Sequence, residues 1–346
     1  TSFTRAYLTP AQTIQVARRF LWDRQTAKRR WARRTLTDLG ELHPDAIDTL
    51  QKGRIWRHPT GRAVQDEAGV LPIETVGALR QALKIASPRQ LGWMLWASDG
   101  GSYHSFTIPK SSGEPRRIDA PKPQLRAVQR RILRSVLRRV TPHDAAHGFV
   151  NGRSTVTNAA AHVGRAVLVK FDLQNFFPTI SYWRVVGLFA SLGYGLGRLR
   201  LSTDDDSRAV APVLARLCCY AEEPEAFGQA CLPQGAPTSP AISNLILRGL
   251  DARLAGIAAT MGGVYTRYAD DLTFSFDDGA NIGRLRWWVE EVCRQEGFAV
   301  NQKKFRVIRA SQRQQVTGVV VNDCLRVPRK ERRQFRAILH LSLIHI

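Results

Sequence analysis

Two pairs of adjacent aspartates, Asp270–Asp271 and Asp277–Asp278, stand seven residues apart in the run "YTRYADDLTFSFDDG". A third acidic cluster, Asp204–Asp205–Asp206, lies upstream. Neighbouring carboxylates repel, so each cluster must be either hydrated or neutralised by something positive. Asp204–Asp206 is flanked by Ser, Thr and Arg with no apolar periodicity, and reads as a solvated loop or helix start. Asp277–Asp278 precedes Gly279, and Asp-Gly marks a turn at the end of a strand. Asp270–Asp271 is different, because strand formers flank it: Val264, Tyr265 and Tyr268 before, Leu272, Phe274 and Phe276 after. That pattern puts the pair at a tight bend between two strands on a core, where two charges are costly unless a cation compensates them. Magnesium, which takes carboxylate oxygens, is the simplest such cation. Two acids are too few ligands. Asp172 is the candidate third, since it ends the apolar strand "AVLVKFD", where a charge is otherwise out of place. Two metal ions held by such acids suit an in-line displacement, in which a 3′-hydroxyl attacks and pyrophosphate leaves.

The elements that must position these acids can be read from periodicity. "VYTRYADDLTFSF" alternates as strand, turn, strand, and Ala166 to Leu173 reads as a further strand, with Pro178 breaking the chain after it. "YHSFTIPKSSGEPRRIDAP" reads as strand, turn, strand. Lys122 to Val140 reads as one amphipathic helix, with Leu125, Val128, Ile132, Leu133, Val136, Leu137 and Val140 on its apolar face. Arg126, Arg130, Arg134 and Arg138 recur every four residues and form one stripe on it. That stripe is either a solvated face or a phosphate-facing one. Helices are also expected over 11–39, within 73–97, over "SYWRVVGLFASLGY", over 283–296 and after Val327. "LPQGAPTSPAISNLILRGLDARLAGIAATMG" reads as a loop running into one long helix, and "QVTGVVVND" as a β segment.

The totals set the partner class. Lys and Arg number 51 against 29 acids, a formal charge of +22, spread along the chain. Basic side chains release condensed counterions when they neutralise a phosphate backbone, so nucleic acid is the expected partner. No run of eighteen apolar residues is present, so no membrane span or membrane partner is expected. Five scattered cysteines without CxxC spacing read as reduced thiols of a cytoplasmic protein.

With these residues in order, the chain resembles reverse transcriptases from about Phe106 onward. "FDLQNFFP" is similar to their first palm motif, "LPQGAPTSP" to the template- and nucleotide-contacting motif, and "YADD" to the catalytic hairpin. "NAAAH" (Asn158 to His162) and "VTG" (Val316 to Gly318) resemble the NAxxH and VTG signatures of the bacterial retron enzymes. The resemblance implies an α+β right-hand polymerase fold, with an antiparallel sheet flanked by helices. It divides the chain into a basic helical extension (1–101), fingers (102–165), palm with remaining fingers elements (166–326) and the start of a thumb (327–346).

Roles follow from the same resemblance. Asp172, Asp270 and Asp271 would be the catalytic acids and, with the Leu173 carbonyl, would hold two Mg2+ ions, for which Mn2+ can substitute. Phe177 would sit under the sugar and exclude a 2′-hydroxyl. Gln234 and Gly235 would line the incoming nucleotide. Lys110, Arg116 and Arg117 would grip its triphosphate, and Lys304 would approach the leaving pyrophosphate. Asn158, His162, Val316, Thr317, Gly318, Arg126, Arg130 and Arg134 are expected RNA or primer contacts, with a structural role as the alternative for His162. The implied partners are a cognate structured noncoding RNA as template and primer, the RNA–DNA hybrid, deoxynucleoside triphosphates and a retron effector protein. The implied product is a single-stranded DNA branched through a guanosine 2′-hydroxyl, made in an anti-phage defence system. An intron-like or other defence-associated reverse transcriptase is the alternative enzyme, and an RNA-binding scaffold with a vestigial site the non-enzymatic one. Only about one helix follows "VTGVVVNDCLRV", so the thumb is expected to be cut short, with Leu341 to Ile346 foreign to the gene.

Overall fold

The strand expected to end in Asp172 lies inside a sheet, and that placement organises the rest. The structure, a computed structural model, describes residues 71–96, 102–109, 115–196, 205–221, 229–277 and 279–344. The helix expected over 11–39, and Lys110, Asp204 and Asp278, lie outside them. In chain order the elements are α1 (Val76–Ala82), α2 (Pro88–Trp96), β1 (Tyr103–Pro109), β2 (Pro115–Pro121), α3 (Pro123–Ser135), α4 (Thr155–Ala160) and β3 (Val167–Asp172). There follow α5 (Tyr182–Ser191), α6 (Val210–Cys218), α7 (Ser239–Ile246), α8 (Arg248–Thr260), β4 (Gly263–Tyr268) and β5 (Asp271–Phe276). The chain continues through α9 (Ile282–Gln295), β6 (Arg306–Arg309), β7 (Gln315–Val316), β8 (Val319–Val320) and α10 (Arg329–Ile344). Every strand pairing within these sheets is antiparallel, so the class is α+β.

The chain forms two units. The first takes in the described residues up to Ser102 together with Ser181–Cys231; the second takes in Tyr103–Ile180 and the chain from Leu232 onward. In the first unit α5 and α6 pack side by side, with α1 and α2 against α6. Every residue of α6 is buried, so its sequence carries no polar face, and no helix was expected there. Asp205 does not simply face water, as expected from its neighbours. It takes Nε and Nη2 of Arg80 at 3.1 and 2.9 Å, and a side chain at Gly77 would collide with it.

In the second unit four strands run in the order β4-β5-β3-β6. Val167, Leu168, Val169 and Phe171 of β3 are all buried, which fits a strand covered on both faces. Phe171 meets Phe274 edge-on at 5.7 Å and Phe305 at 5.0 Å, and Tyr265 lies 4.8 Å from Phe274. α8 packs on β4 and on α9. β1 and β2 form a separate hairpin, with Tyr103 opposite Pro121.

Two expected helices break. The helix expected over Lys122 to Val140 stops at Ser135. β-branched Val136 (φ −118°, ψ −67°) leads into a 3₁₀ turn at Leu137–Arg139. The long helix after "LPQGAPTSP" divides at Leu247 into α7 and α8. Arg126, Arg130, Arg134 and Arg138 are all exposed, as a stripe at four-residue spacing requires.

Candidate active site

β4 and β5 are joined by a two-residue loop, Ala269–Asp270, because Tyr268 pairs with Asp271. Ala269 has φ +57°, the left-handed region that a tight hairpin demands at its first loop residue and that alanine adopts at a cost. Asp271 opens β5 and pairs in register with Asp172 at the end of β3. The Leu173 amide donates to the Asp270 carbonyl at 3.0 Å, and the Asn301 amide donates to the Asp172 carbonyl at 2.7 Å. Three acids from two distant stretches thus meet at one end of the sheet.

Their electrostatics are unfavourable as they stand. Burial, then the Asp172 and Asp271 charges, push Asp270 up to about 6. Burial also raises Asp271, against a pull from Lys170. Asp172 is only 6% exposed, and its Oδ1 accepts from Lys304 Nζ at 2.8 Å. That bond, ahead of all other causes, raises Lys304. Among the described residues no three acidic, histidine or cysteine side chains converge closely enough to encircle an ion. Lys304 instead supplies the positive charge at Asp172. A set of hard carboxylate oxygens, mutually repelled and with a cation already drawn to one of them, is chemically suited to magnesium.

The other expected site residues divide clearly. Phe176 is buried, but Phe177, edge-on to it at 5.1 Å, is only half-buried, so Phe177 retains surface to offer a ligand. The Asp119 amide donates to the Gln234 carbonyl at 2.8 Å. Gly235 (φ +131°) fits because a Cβ there would come within 3.0 Å of the Asp119 carbonyl. Arg116 and Arg117 are exposed on β2, and Arg117 Nε donates to Asp119 Oδ1 at 2.9 Å, which also accepts from Ser105 Oγ at 2.6 Å.

The RNA-contact reading is corrected for Asn158, His162 and Val316, which are 1, 0 and 0% exposed. His162 lies between Ser275 Oγ on β5 and Thr266 Oγ1 on β4, 2.7 Å from each. It ties the β4–β5 hairpin from behind. Thr317 (φ +45°) donates through Oγ1 to the Thr155 carbonyl at 2.9 Å, and Val316 packs with Ala159 and Leu168. The two signatures therefore clasp each other: a short helix closed by the Ser154–Thr157 capping box meets the β7–β8 turn. Thr317 and Gly318 retain exposed surface.

Burial pushes His162 down to about 3. The unfolded chain takes up this proton near 6.5 and the folded chain only near 3, so the stability His162 contributes is full above pH 6.5 and drains as pH falls toward 3. Thermal melts between pH 7 and 5 should therefore lose more stability in the parent than in His162→Gln. Equal slopes would mean that this imidazole titrates freely in the fold.

Reading the sequence missed a buried group beneath the hairpin. Arg267 on β4 and Asp251 on α8 are both fully buried, with Nε–Oδ1 at 2.8 Å and Nη2–Oδ2 at 2.7 Å. Tyr265 Oη donates to Asp251 Oδ1 at 2.9 Å. A signal for it existed: Asp251 interrupts the apolar stripe Leu247, Leu250, Leu254, Ala258.

Comparison with known proteins gives the family. The family model described as reverse transcriptase (RNA-dependent DNA polymerase) matches residues 108–321. The chain is 40% identical over 315 residues to the Retron Mx65 reverse transcriptase of Myxococcus xanthus, covering 88% of this chain and 67% of that one. It is 41% identical over 294 residues to the Retron Mx162 reverse transcriptase of the same organism, covering 79% of this chain and 59% of that one. The chain thus spans about two thirds or less of these relatives' lengths. Among solved structures, telomerase from Candida albicans aligns at 12% identity and a TM-score of 0.44 over 65% of this chain and 46% of that one.

Proposed function

The chain belongs to the bacterial retron reverse transcriptases, a family of RNA-directed DNA polymerases, and we propose that it copies part of a cognate structured noncoding RNA into single-stranded DNA at Asp172, Asp270 and Asp271. The observation that carries this reading is the register pairing of Asp172 with Asp271 beside Asp270, at the end of an otherwise apolar sheet. In this reading 102–165 act as fingers, 166–326 as palm and 327–346 as the start of a thumb. In it the three carboxylates and the Leu173 carbonyl would hold two Mg2+ ions. Such ions, when bound, lower the pKa of an attacking hydroxyl and neutralise charge on the leaving pyrophosphate.

The chain's own residues do the rest. Arg116 and Arg117 bind the triphosphate from β2, with Arg117 exchanging its bond to Asp119 for phosphate oxygens. Lys304, freed from Asp172, turns its ammonium toward the pyrophosphate. The exposed stripe of Arg126, Arg130 and Arg134 contacts the RNA backbone, and Thr317 and Gly318 lie near the structured RNA. Priming from a guanosine 2′-hydroxyl, the branched product and a defence role beside an effector protein rest on kinship alone. No helix among the described residues is long and apolar enough to cross a membrane. In this reading the enzyme works in the cytoplasm, where its five cysteines, none of them in a disulfide, stay reduced.

Extension of a DNA primer on an RNA template with deoxynucleotides tests the activity. It should require magnesium, and extension that survives chelation would refute the reading. The half-buried ring of Phe177 carries a second test. Phe177→Ala should raise ribonucleotide incorporation relative to deoxynucleotide by about tenfold or more, the scale on which a pocket selects by shape. An unchanged ratio would move the gate to another residue.

A further inference from the structure

Ala269 sits in a strained backbone conformation next to Asp270, and something must hold it there. Arg267 Nη1 donates to the Ala269 carbonyl at 3.2 Å and to Asn244 Oδ1 on α7 at 2.9 Å. Asn244 Nδ2 in turn donates to the Gly148 carbonyl at 2.8 Å. Gly148 presses on the same residue from the other side, since a Cβ there would lie 2.7 Å from the Ala269 amide nitrogen. The flanking backbone is stitched to β4 as well: the Arg267 amide donates to Ala145 at 2.7 Å, and the His147 amide donates to the Arg267 carbonyl at 2.8 Å.

We propose that Asn244, Arg267 and Gly148 are positioning residues for the catalytic hairpin, a buried clamp that holds Ala269 left-handed and so aims the Asp270 carboxylate at the metal site. The proposal rests on the reading of Asp270 as a catalytic acid. The clamp needs arginine's planar fork, because one guanidinium must meet Asp251, Asn244 and the Ala269 carbonyl at once. It needs burial too, since a fully dry guanidinium with both ends engaged does not exchange partners with water. Asn244 matters beyond its own bonds, as it links the guanidinium to Gly148 and thus joins the two sides that grip Ala269.

Asn244→Ala and Gly148→Ala leave the Asp251–Arg267 pair intact and are the variants to make in the full chain, beside Asp270→Asn. Three quantities are read: Mn2+ affinity by electron paramagnetic resonance, kcat and KM for deoxynucleotide, and the melting temperature. Asn244→Ala and Gly148→Ala should weaken Mn2+ binding and lower kcat by about tenfold each, the scale of losing a group that orients a metal ligand, with KM nearly unchanged. The proposal falls if both variants bind Mn2+ and turn over like the parent. It falls equally if they lose activity only in proportion to a lost folded fraction, with Mn2+ affinity kept. Asp270→Asn separates this from the premise: if that variant binds Mn2+ and polymerises like the parent, the site reading itself is wrong. If it is inactive while the clamp variants are normal, only the clamp is refuted.

Discussion

Replacing Asp270 by asparagine should cut RNA-templated DNA synthesis by on the order of a thousandfold or more, while making the metal-free protein harder to melt above pH 6. The two effects have one cause. Asp270 is half-buried beside Asp172 and Asp271, and that surrounding pushes its carboxyl up to about 6. A group whose folded pKa is raised contributes stability that is full below its unfolded value near 3.8 and is lost as pH rises through 6. At neutral pH the parent therefore carries a repelled charge in the absence of metal, and asparagine removes it at nearly the same size. The gain in melting temperature should appear as pH rises from 4 to 7 and vanish below 4. With magnesium and nucleotide added, the order should reverse, because only the parent gains a ligand that binds the folded state. A variant that is less stable than the parent at pH 7.5 without metal would contradict this account of the site's charge.

How much of this was legible beforehand depended on whether the signal was local. The hairpin around Asp270 was, because Tyr265, Phe274 and Phe276 mark two strands and two residues remain between them. Asp172 was legible as a charge at the end of a buried apolar run. The Lys304–Asp172 bond was not, since the Lys304 ammonium reaches Asp172 only through the fold. α6 escaped because a wholly buried helix has no polar face to set a period. The NAxxH and VTG residues were found by resemblance, but a motif does not say which way its side chains point. Asn158, His162 and Val316 turned inward, where His162 meets two hydroxyls and Val316 fills an apolar gap. Asp251 and Arg267 are sixteen residues apart on a helix and a strand, and only their packing makes them partners.

That pair carries the largest expected effect on stability. Asp251→Asn leaves Arg267 charged, fully buried and without its bidentate partner, and breaking a buried pair in this way costs about 3–5 kcal/mol. Burial alone opposes the charge on Arg267, and Asp251 is what keeps it charged, so the loss cannot be absorbed by small rearrangement. A domain of this size should then melt roughly 10 °C lower. The double variant Asp251→Leu with Arg267→Met removes both charges and fills similar volume, which often restores stability or improves it. It should recover most of the melting temperature. Polymerase activity should stay down about tenfold, because methionine cannot donate to the Ala269 carbonyl or to Asn244. Recovery of both properties would make the pair a stabiliser with no part in aiming Asp270. Recovery of stability alone separates the two roles: the charges could be exchanged for apolar packing as far as folding is concerned, and are needed because only a guanidinium reaches the strained turn that carries Asp270.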